Sequence, residues 1–227
     1  MILDAARVLI PFVTTFTIGI LLAPVLTHYL YQHKVWKKKG GKQAMDGNAA
    51  VEFNKLHEER ESHTPRMGGI LIWSVPVIMI VAFRVLIEIF PAPFILHKLN
   101  FLSRAQTWLP LFTLVAASLV GLADDFLQVI GRGKYIAGGM RFSRRLLLII
   151  LIAAVGAWWF YSKLEFTGIH IPFVGEFDIG IFFPLFFILV MVATFSGGVI
   201  DGIDGLAGGV MAAAFSAYAG IAFFQNQ

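Results

Sequence analysis

The sequence predicts an all-α polytopic membrane protein with about six transmembrane helices. Two observations carry this prediction. The composition is 58% hydrophobic and the mean hydropathy is +0.77, whereas soluble domains are about 45–50% apolar. Long apolar stretches with few ionised side chains alternate with segments rich in basic residues, as expected for helices that cross a bilayer. We therefore interpret residues 1–227 as a single integral membrane domain.

Six apolar runs supply the predicted spans, at residues 8–31, 70–90, 109–123, 146–161, 179–195 and 206–224. The first run could instead be a signal peptide, but its apolar part is too long and few basic residues precede it. The third run covers only about 22 Å as a helix, so we expect it to begin earlier or to end among the headgroups. The alternating pattern of residues 162–178 predicts a small outer hairpin.

The distribution of charge predicts the orientation. Residues 34–66 and 124–145 hold eight and five of the 18 Lys and Arg residues. Because cytoplasmic loops are enriched in basic residues, the N-terminus is predicted outside and both loops inside. This argues against nucleic-acid binding as the meaning of the net charge of +4. The absence of cysteine excludes disulfides, thiolate metal sites and a cysteine nucleophile.

Two pairs of aspartates fall on the predicted cytoplasmic side. Asp201 and Asp204 lie among six glycines in residues 196–209, and Asp124-Asp125 follows the third run. Alone, the first pair could be a glycine-rich hinge with solvated acids, and the second could simply end a helix. Adjacent carboxylates near a membrane repel, and either a divalent cation or a basic partner relieves the repulsion. Oxygen ligands favour magnesium, which also takes phosphate oxygens.

Other polar residues near these pairs have both functional and structural interpretations. The arginines could neutralise phosphate or could only fix the topology; they are Arg141, Arg144 and Arg145. His57 and His63 could reach a phosphate or be solvated loop residues. His170 is predicted to lie outside, away from the aspartates.

Three motifs carry a resemblance to a known family. TPRMGGI precedes the second span, GLADDF follows the third and VIDGIDGLAGG follows the fifth. In this order they resemble the polyprenyl-phosphate N-acetylhexosamine-1-phosphate transferases of glycosyltransferase 4 type. The resemblance implies a multi-pass enzyme of the bacterial cytoplasmic membrane with its active site facing the cytoplasm. It also implies Mg²⁺ as cofactor, a UDP-N-acetylhexosamine and undecaprenyl phosphate as substrates, UMP as product, and a homodimer.

The resemblance also implies roles for individual residues. The expected catalytic residues are Asp124, Asp125 and Asp201, of which Asp124 and Asp125 are expected to hold the metal. The expected substrate-binding residues are Asp204, Gly202, Gly205, Thr64, Pro65 and Gly68. Three departures from the family pattern stand out. Gln128 stands where lysine is common, Gly198 where asparagine is common, and Glu61 and Ser62 where a basic residue commonly precedes the Thr-Pro.

The choice of sugar and the completeness of the chain remain open at this point. The Thr-Pro-x-Met-Gly-Gly motif favours transfer of phospho-N-acetylmuramoyl-pentapeptide for peptidoglycan. Arg66 and the KLHEE stretch favour N-acetylglucosamine-1-phosphate for teichoic acid or surface polysaccharide. Because the chain lacks the Gly-Asp loop and histidine motif of the family, it resembles the first six helices of a longer transferase. An inactive truncated fragment with a structural role is the alternative, and an ion transporter is disfavoured because its acids should lie near mid-membrane.

Overall fold

The computed structural model describes residues 2–36, 63–89, 100, 102, 105–131, 139–171, 174–197 and 205–224. This part of the chain contains six helices and one hairpin. The elements are α1 (Ile2–Gln32), α2 (Ile70–Ile89), α3 (Ala105–Ile130), α4 (Phe142–Lys163), β1 (Gly168–Ile171), β2 (Gly175–Asp178), a 3-10 turn (Gly180–Phe182), α5 (Phe183–Ser196) and α6 (Leu206–Phe224). Five of the described helices are long and apolar enough to cross a membrane. The all-α polytopic fold is confirmed.

The chain forms two compact units, Met1–Leu148 and Ile149–Gln227. In the first unit α1 packs against α2, and α2 packs against α3. In the second unit Phe183 is buried, and its ring lies 5.7 Å from that of Phe166 and 6.2 Å from that of Phe160. Most other apolar side chains of the helices are exposed, as expected for surfaces that face lipid rather than water.

The boundaries of α3 correct one prediction. The helix begins earlier than the apolar run, as expected, but it does not end at Asp124-Asp125 and continues to Ile130. The residues after the aspartates are mostly apolar, so nothing in them stops the helix. It ends at Gly131, whose φ of 70° is left-handed and whose N–H bonds the Leu127 carbonyl at 3.0 Å. The aspartates therefore lie on a helix face and not in a loop.

The predicted hairpin is confirmed, and the fifth span is modified. Strands β1 and β2 pair antiparallel with His170 opposite Glu176. The fifth apolar segment begins as the 3-10 turn and becomes α-helical only at Phe183, next to a proline in the first turn. Proline is favoured there because it lacks the N–H that a first-turn residue does not need. The resulting helix α5 has 14 residues, fewer than the predicted span.

A short backbone contact joins the end of α1 to the segment before α2. Trp36 and Pro65 form an antiparallel bridge, and the Arg66 N–H donates to the Val35 carbonyl at 2.8 Å. Met67 follows with a φ of 71°, a conformation that costs energy for a residue with a side chain. The Ile70 N–H bonds the Met67 carbonyl at 3.1 Å and starts α2. This contact fixes the TPRMGG segment beside the C-terminal end of α1.

Candidate active site at the C-terminal end of helix α3

The structure describes only part of the predicted site. Asp124 and Asp125 lie on α3; Thr64, Pro65 and Gly68 lie just before α2; and Gly205 lies just before α6. The remaining predicted residues, Asp201, Gly202 and Asp204, lie outside the described residues, as does Gly198. The site that can be built from contacts is therefore the one around the Asp124-Asp125 pair.

Asp124 is the one buried charged side chain among the described residues, with 7% of its surface exposed. Three donors surround its carboxylate. The Met140 N–H bonds Oδ1 at 2.5 Å, and the Gln128 amide bonds Oδ2 at 3.0 Å. The Arg145 guanidinium also bonds Oδ2 and forms an ion pair with it. A buried carboxylate is costly unless it is paired and hydrogen-bonded, and here both conditions are met.

Gly139 allows the backbone to reach Asp124. A Cβ atom at this position would lie 3.0 Å from Asp124 Oδ1 and 3.2 Å from both Cγ and Nε2 of Gln128. These separations are shorter than ordinary van der Waals contact, so a larger residue would displace the carboxylate or the amide. Glycine therefore permits the next residue, Met140, to present its N–H to the buried oxygen.

Asp125 has different surroundings from its neighbour. It is partly exposed, and its Oδ2 accepts a hydrogen bond of 3.2 Å from the Met67 N–H. Among the described residues Met67 is the one hydrogen-bond donor to this carboxylate, and it bonds Oδ2. The charges of Arg66, Asp124 and Arg145 all act on Asp125. Two of the three sequence motifs, TPRMGGI and GLADDF, thus meet at one carboxylate.

The other predicted residues of the first motif play smaller parts in the described contacts. Pro65 forms the bridge to Trp36, and Thr64 is exposed. Adjacent glycines such as Gly68 and Gly69 can let another backbone come close, but no described atom lies within 4 Å of a Cβ built at either one. The close approach occurs at Gly139 instead. The ring of His63 lies 6.2 Å from that of Trp36, while His57 is outside the described residues.

Sequence reasoning left the role of Arg145 open and missed those of Gly139 and Met140. Arg145 bonds Asp124, whereas Arg141 and Arg144 are exposed. Sequence alone indicated that the aspartate pair needed a cation or a basic partner, and the structure supplies the basic partner for Asp124. The signal for Gly139 was a glycine doublet shortly before the arginine cluster, a pattern that fits many loops. Gln128 donates a neutral hydrogen bond at a position where the family often has lysine.

The pair can hold a metal ion through one member more readily than through the other. A carboxylate offers about four lone-pair sites, and donors already occupy three of those of Asp124. Asp125 keeps an oxygen of the hard type that magnesium prefers. Within the described residues no three acidic, histidine or cysteine side chains cluster as a complete metal site. Any further protein ligands would have to come from the other segments, among them the one that carries Asp201 and Asp204.

Comparison with known proteins identifies the family. The model of glycosyl transferase family 4 matches residues 107–227, more than half of the chain, and this range includes the Asp124-Asp125 pair. The chain belongs to glycosyl transferase family 4. The resemblance drawn from the three motifs is therefore confirmed at the level of the family.

Curated members of glycosyl transferase family 4 match nearly the whole chain. A phospho-N-acetylmuramoyl-pentapeptide-transferase of Listeria innocua is 33% identical over 220 residues, which are 95% of this chain and 59% of the relative. The protein of the same name from Latilactobacillus sakei is 32% identical over 221 residues, 96% of this chain and 60% of the relative. That of Chloroflexus aggregans is 27% identical over 225 residues, 97% and 54%. The chain thus spans somewhat more than half the length of these relatives.

Proposed function

We propose that the protein transfers phospho-N-acetylmuramoyl-pentapeptide from its UDP-linked form to undecaprenyl phosphate and releases UMP. This is the first membrane step of peptidoglycan synthesis. The observation that carries the proposal is the Met67–Asp125 hydrogen bond, because it joins two family motifs at a partly exposed carboxylate. The names of the relatives support the choice of sugar, whereas Arg66 favours the alternative, N-acetylglucosamine-1-phosphate.

The proposed reaction exchanges one phosphoanhydride bond for another. A phosphate oxygen of the lipid attacks the β-phosphorus of the UDP-sugar and forms a new P–O bond. The bond from the β-phosphorus to the bridging oxygen breaks, and UMP leaves with that oxygen. Both reactants are anions, so the site must neutralise charge and hold the two phosphates in line. Arg66, the residue before Met67, would offset part of that negative charge.

Magnesium fits the donor set at Asp125. The carboxylate is partly exposed and accepts one backbone hydrogen bond. It offers oxygen ligands, which this ion prefers. When bound, magnesium would offset negative charge on the phosphates and so favour departure of UMP. Asp201 and Asp204 are the further candidates for binding the nucleotide sugar and for catalysis, with Gly202 and Gly205 supplying backbone N–H groups.

The remaining features of the proposal follow from the charge pattern and the family. The active site faces the cytoplasm of a bacterium, because 13 of the 18 basic residues lie in residues 34–66 and 124–145, and the second segment begins with Asp124-Asp125. The protein acts on the lipid within the bilayer and as a homodimer. The five described helices that could cross a membrane agree with a multi-pass protein.

The test is a transfer assay with the full-length protein in detergent micelles that contain undecaprenyl phosphate. The UDP-sugar is labelled in the sugar, and both UMP release and label extracted into organic solvent are measured with magnesium and with EDTA. We expect magnesium-dependent, equimolar appearance of the two products with UDP-N-acetylmuramoyl-pentapeptide.

A parallel reaction with UDP-N-acetylglucosamine controls for the sugar. Label entering the lipid only from that substrate would overturn the choice of sugar and keep the reaction class. No UMP release from either substrate would overturn the enzymatic function and favour a structural role for the chain.

A further inference from the structure

We propose that Arg145 is a positioning residue that locks Asp124 as an internal anion and leaves Asp125 as the working carboxylate of the pair. The lock consists of Arg145, the Gln128 amide, the Met140 N–H and the buried Asp124 carboxylate. Its kinetic consequence rests on the proposed function, while the lock itself does not.

Three hydrogen bonds already hold the Asp124 carboxylate. Its Oδ1 accepts from Met140, its Oδ2 accepts from Gln128 and Arg145, and Gly139 closes over Oδ1. A metal ion or a phosphate at Oδ2 would have to displace the Gln128 or Arg145 donor, and one at Oδ1 would have to open the contact with Gly139. Charge-assisted hydrogen bonds are roughly twice as strong as neutral ones, so this displacement is unfavourable.

The geometry of α3 determines the direction of Asp125 once Asp124 is held. Adjacent residues of an α-helix point about 100° apart around its axis. A helix whose Asp124 is held towards Arg145 and Met140 therefore presents Asp125 in one fixed direction. That direction is towards Met67, whose N–H bonds Asp125 at 3.2 Å. The lock thus orients the free carboxylate without touching a substrate.

Gln128 and Arg145 hold Asp124 in different ways. Gln128 lies four residues after Asp124 on the same helix and bonds it as a neutral donor. The positive charge comes from Arg145, which lies in the first turn of α4. The ion pair therefore ties the start of α4 to α3, which a cation on α3 itself could not do.

The kinetic test compares Arg145→Gln with Arg144→Gln in the full-length protein. Both remove one positive charge at neighbouring positions, but Arg144 is exposed and outside the lock. We expect Arg145→Gln to lower kcat about 10- to 100-fold, as loss of a group that orients a ligand commonly does, and to raise the magnesium concentration for half-maximal activity. The KM for the UDP-sugar should change little, Arg144→Gln should resemble the wild type, and Arg145→Lys should recover part of kcat.

Equal kinetics of Arg145→Gln and Arg144→Gln would overturn the proposal. So would an Arg145→Gln variant whose sole defect is a raised KM for the UDP-sugar, because that would make Arg145 a substrate-binding residue. If Arg145→Gln does not fold, Arg145→Lys is compared with the wild type instead. An Arg145→Lys variant with the magnesium dependence, kcat and stability of the wild type would contradict the lock.

A second measurement is independent of activity. The unfolding midpoints of Asp124→Asn, Arg145→Gln and the double variant form a double-mutant cycle. We expect Arg145→Gln to lower the midpoint by about 5 °C or more, since it leaves the buried Asp124 charge without its cation. Asp124→Asn should cost less, because the Arg145 side chain that it leaves is partly exposed, and the double variant should lose clearly less than the sum. Additive losses would refute the lock. If the wild type releases no UMP, the proposed function fails while this cycle still decides the lock.

Discussion

Gly139→Ala is the change whose effect can best be calculated from the structure. The new Cβ would lie 3.0 Å from Asp124 Oδ1 and 3.2 Å from two atoms of Gln128. Oδ1 cannot retreat freely, because the Met140 N–H holds it at 2.5 Å. Overpacking of this kind costs about 1–3 kcal/mol. The reduced entropy of the unfolded chain returns about 0.4–1 kcal/mol, so we expect a net loss of about 1–2 kcal/mol.

Gly121→Ala, on the helix that carries Asp124 and Gln128, is the control. A Cβ built there meets no described atom within 4 Å, and alanine is favoured over glycine in a helix by about 1 kcal/mol. Thermal unfolding of the purified protein in detergent, followed by tryptophan fluorescence, measures both variants. A chain of this size loses about 2–4 °C per kcal/mol, so Gly139→Ala should lower the midpoint by about 2–8 °C while Gly121→Ala raises or preserves it.

Two results would decide against this reasoning. The first is a Gly139→Ala midpoint equal to or above that of Gly121→Ala. The second concerns a background that carries Gln128→Ala, which removes two of the three close atoms. The loss caused by Gly139→Ala should shrink there, and an undiminished loss would mean that the crowding lies elsewhere.

Three further predictions concern stability, with unfolding midpoints as the measurement. Gly131→Ala should cost about 1–2 kcal/mol, because Gly131 ends α3 with a left-handed φ of 70°; no loss would contradict that cap. Phe183→Ala should cost about 3 kcal/mol by opening a cavity in the aromatic cluster, whereas Phe182→Ala, at a residue that is 68% exposed, should cost far less; equal losses would refute this packing. Glu88→Gln should cost no more than about 0.5 kcal/mol, because its 2.8 Å pair with Arg84 is exposed, and a larger loss would show that the pair is buried in the folded protein.

The architecture could be predicted from the sequence because hydrophobic runs and basic loops act locally. The sixth helix has the predicted bounds, and the hairpin at residues 168–178 was visible in its alternation. The predicted end of α3 at Asp124-Asp125 was wrong, because two ionised residues do not by themselves end a helix. In the structure the charge of Asp124 is neutralised by Arg145, 21 positions away, and a local pattern does not contain that partner.

The candidate site was predictable in its residues and not in its arrangement. The motifs identified Asp124 and Asp125 as a pair, but sequence gave both the same role. Their different surroundings come in part from Gly139, Met140 and Met67, which act through the backbone and not through polar side chains. Backbone N–H groups are present in every residue, so sequence alone does not indicate which of them bonds a carboxylate.

The role of Asp125 is tested by the transfer rate of Asp125→Asn in the full-length protein. Asparagine keeps the size of the side chain and its bond from the Met67 N–H while removing the charge that would bind magnesium. We predict that sugar-phosphate transfer falls by at least about 100-fold, that added magnesium does not restore it, and that the unfolding midpoint is close to that of the wild type. Transfer at the wild-type rate, with unchanged magnesium dependence, would contradict the central claim that Asp125 is the working carboxylate.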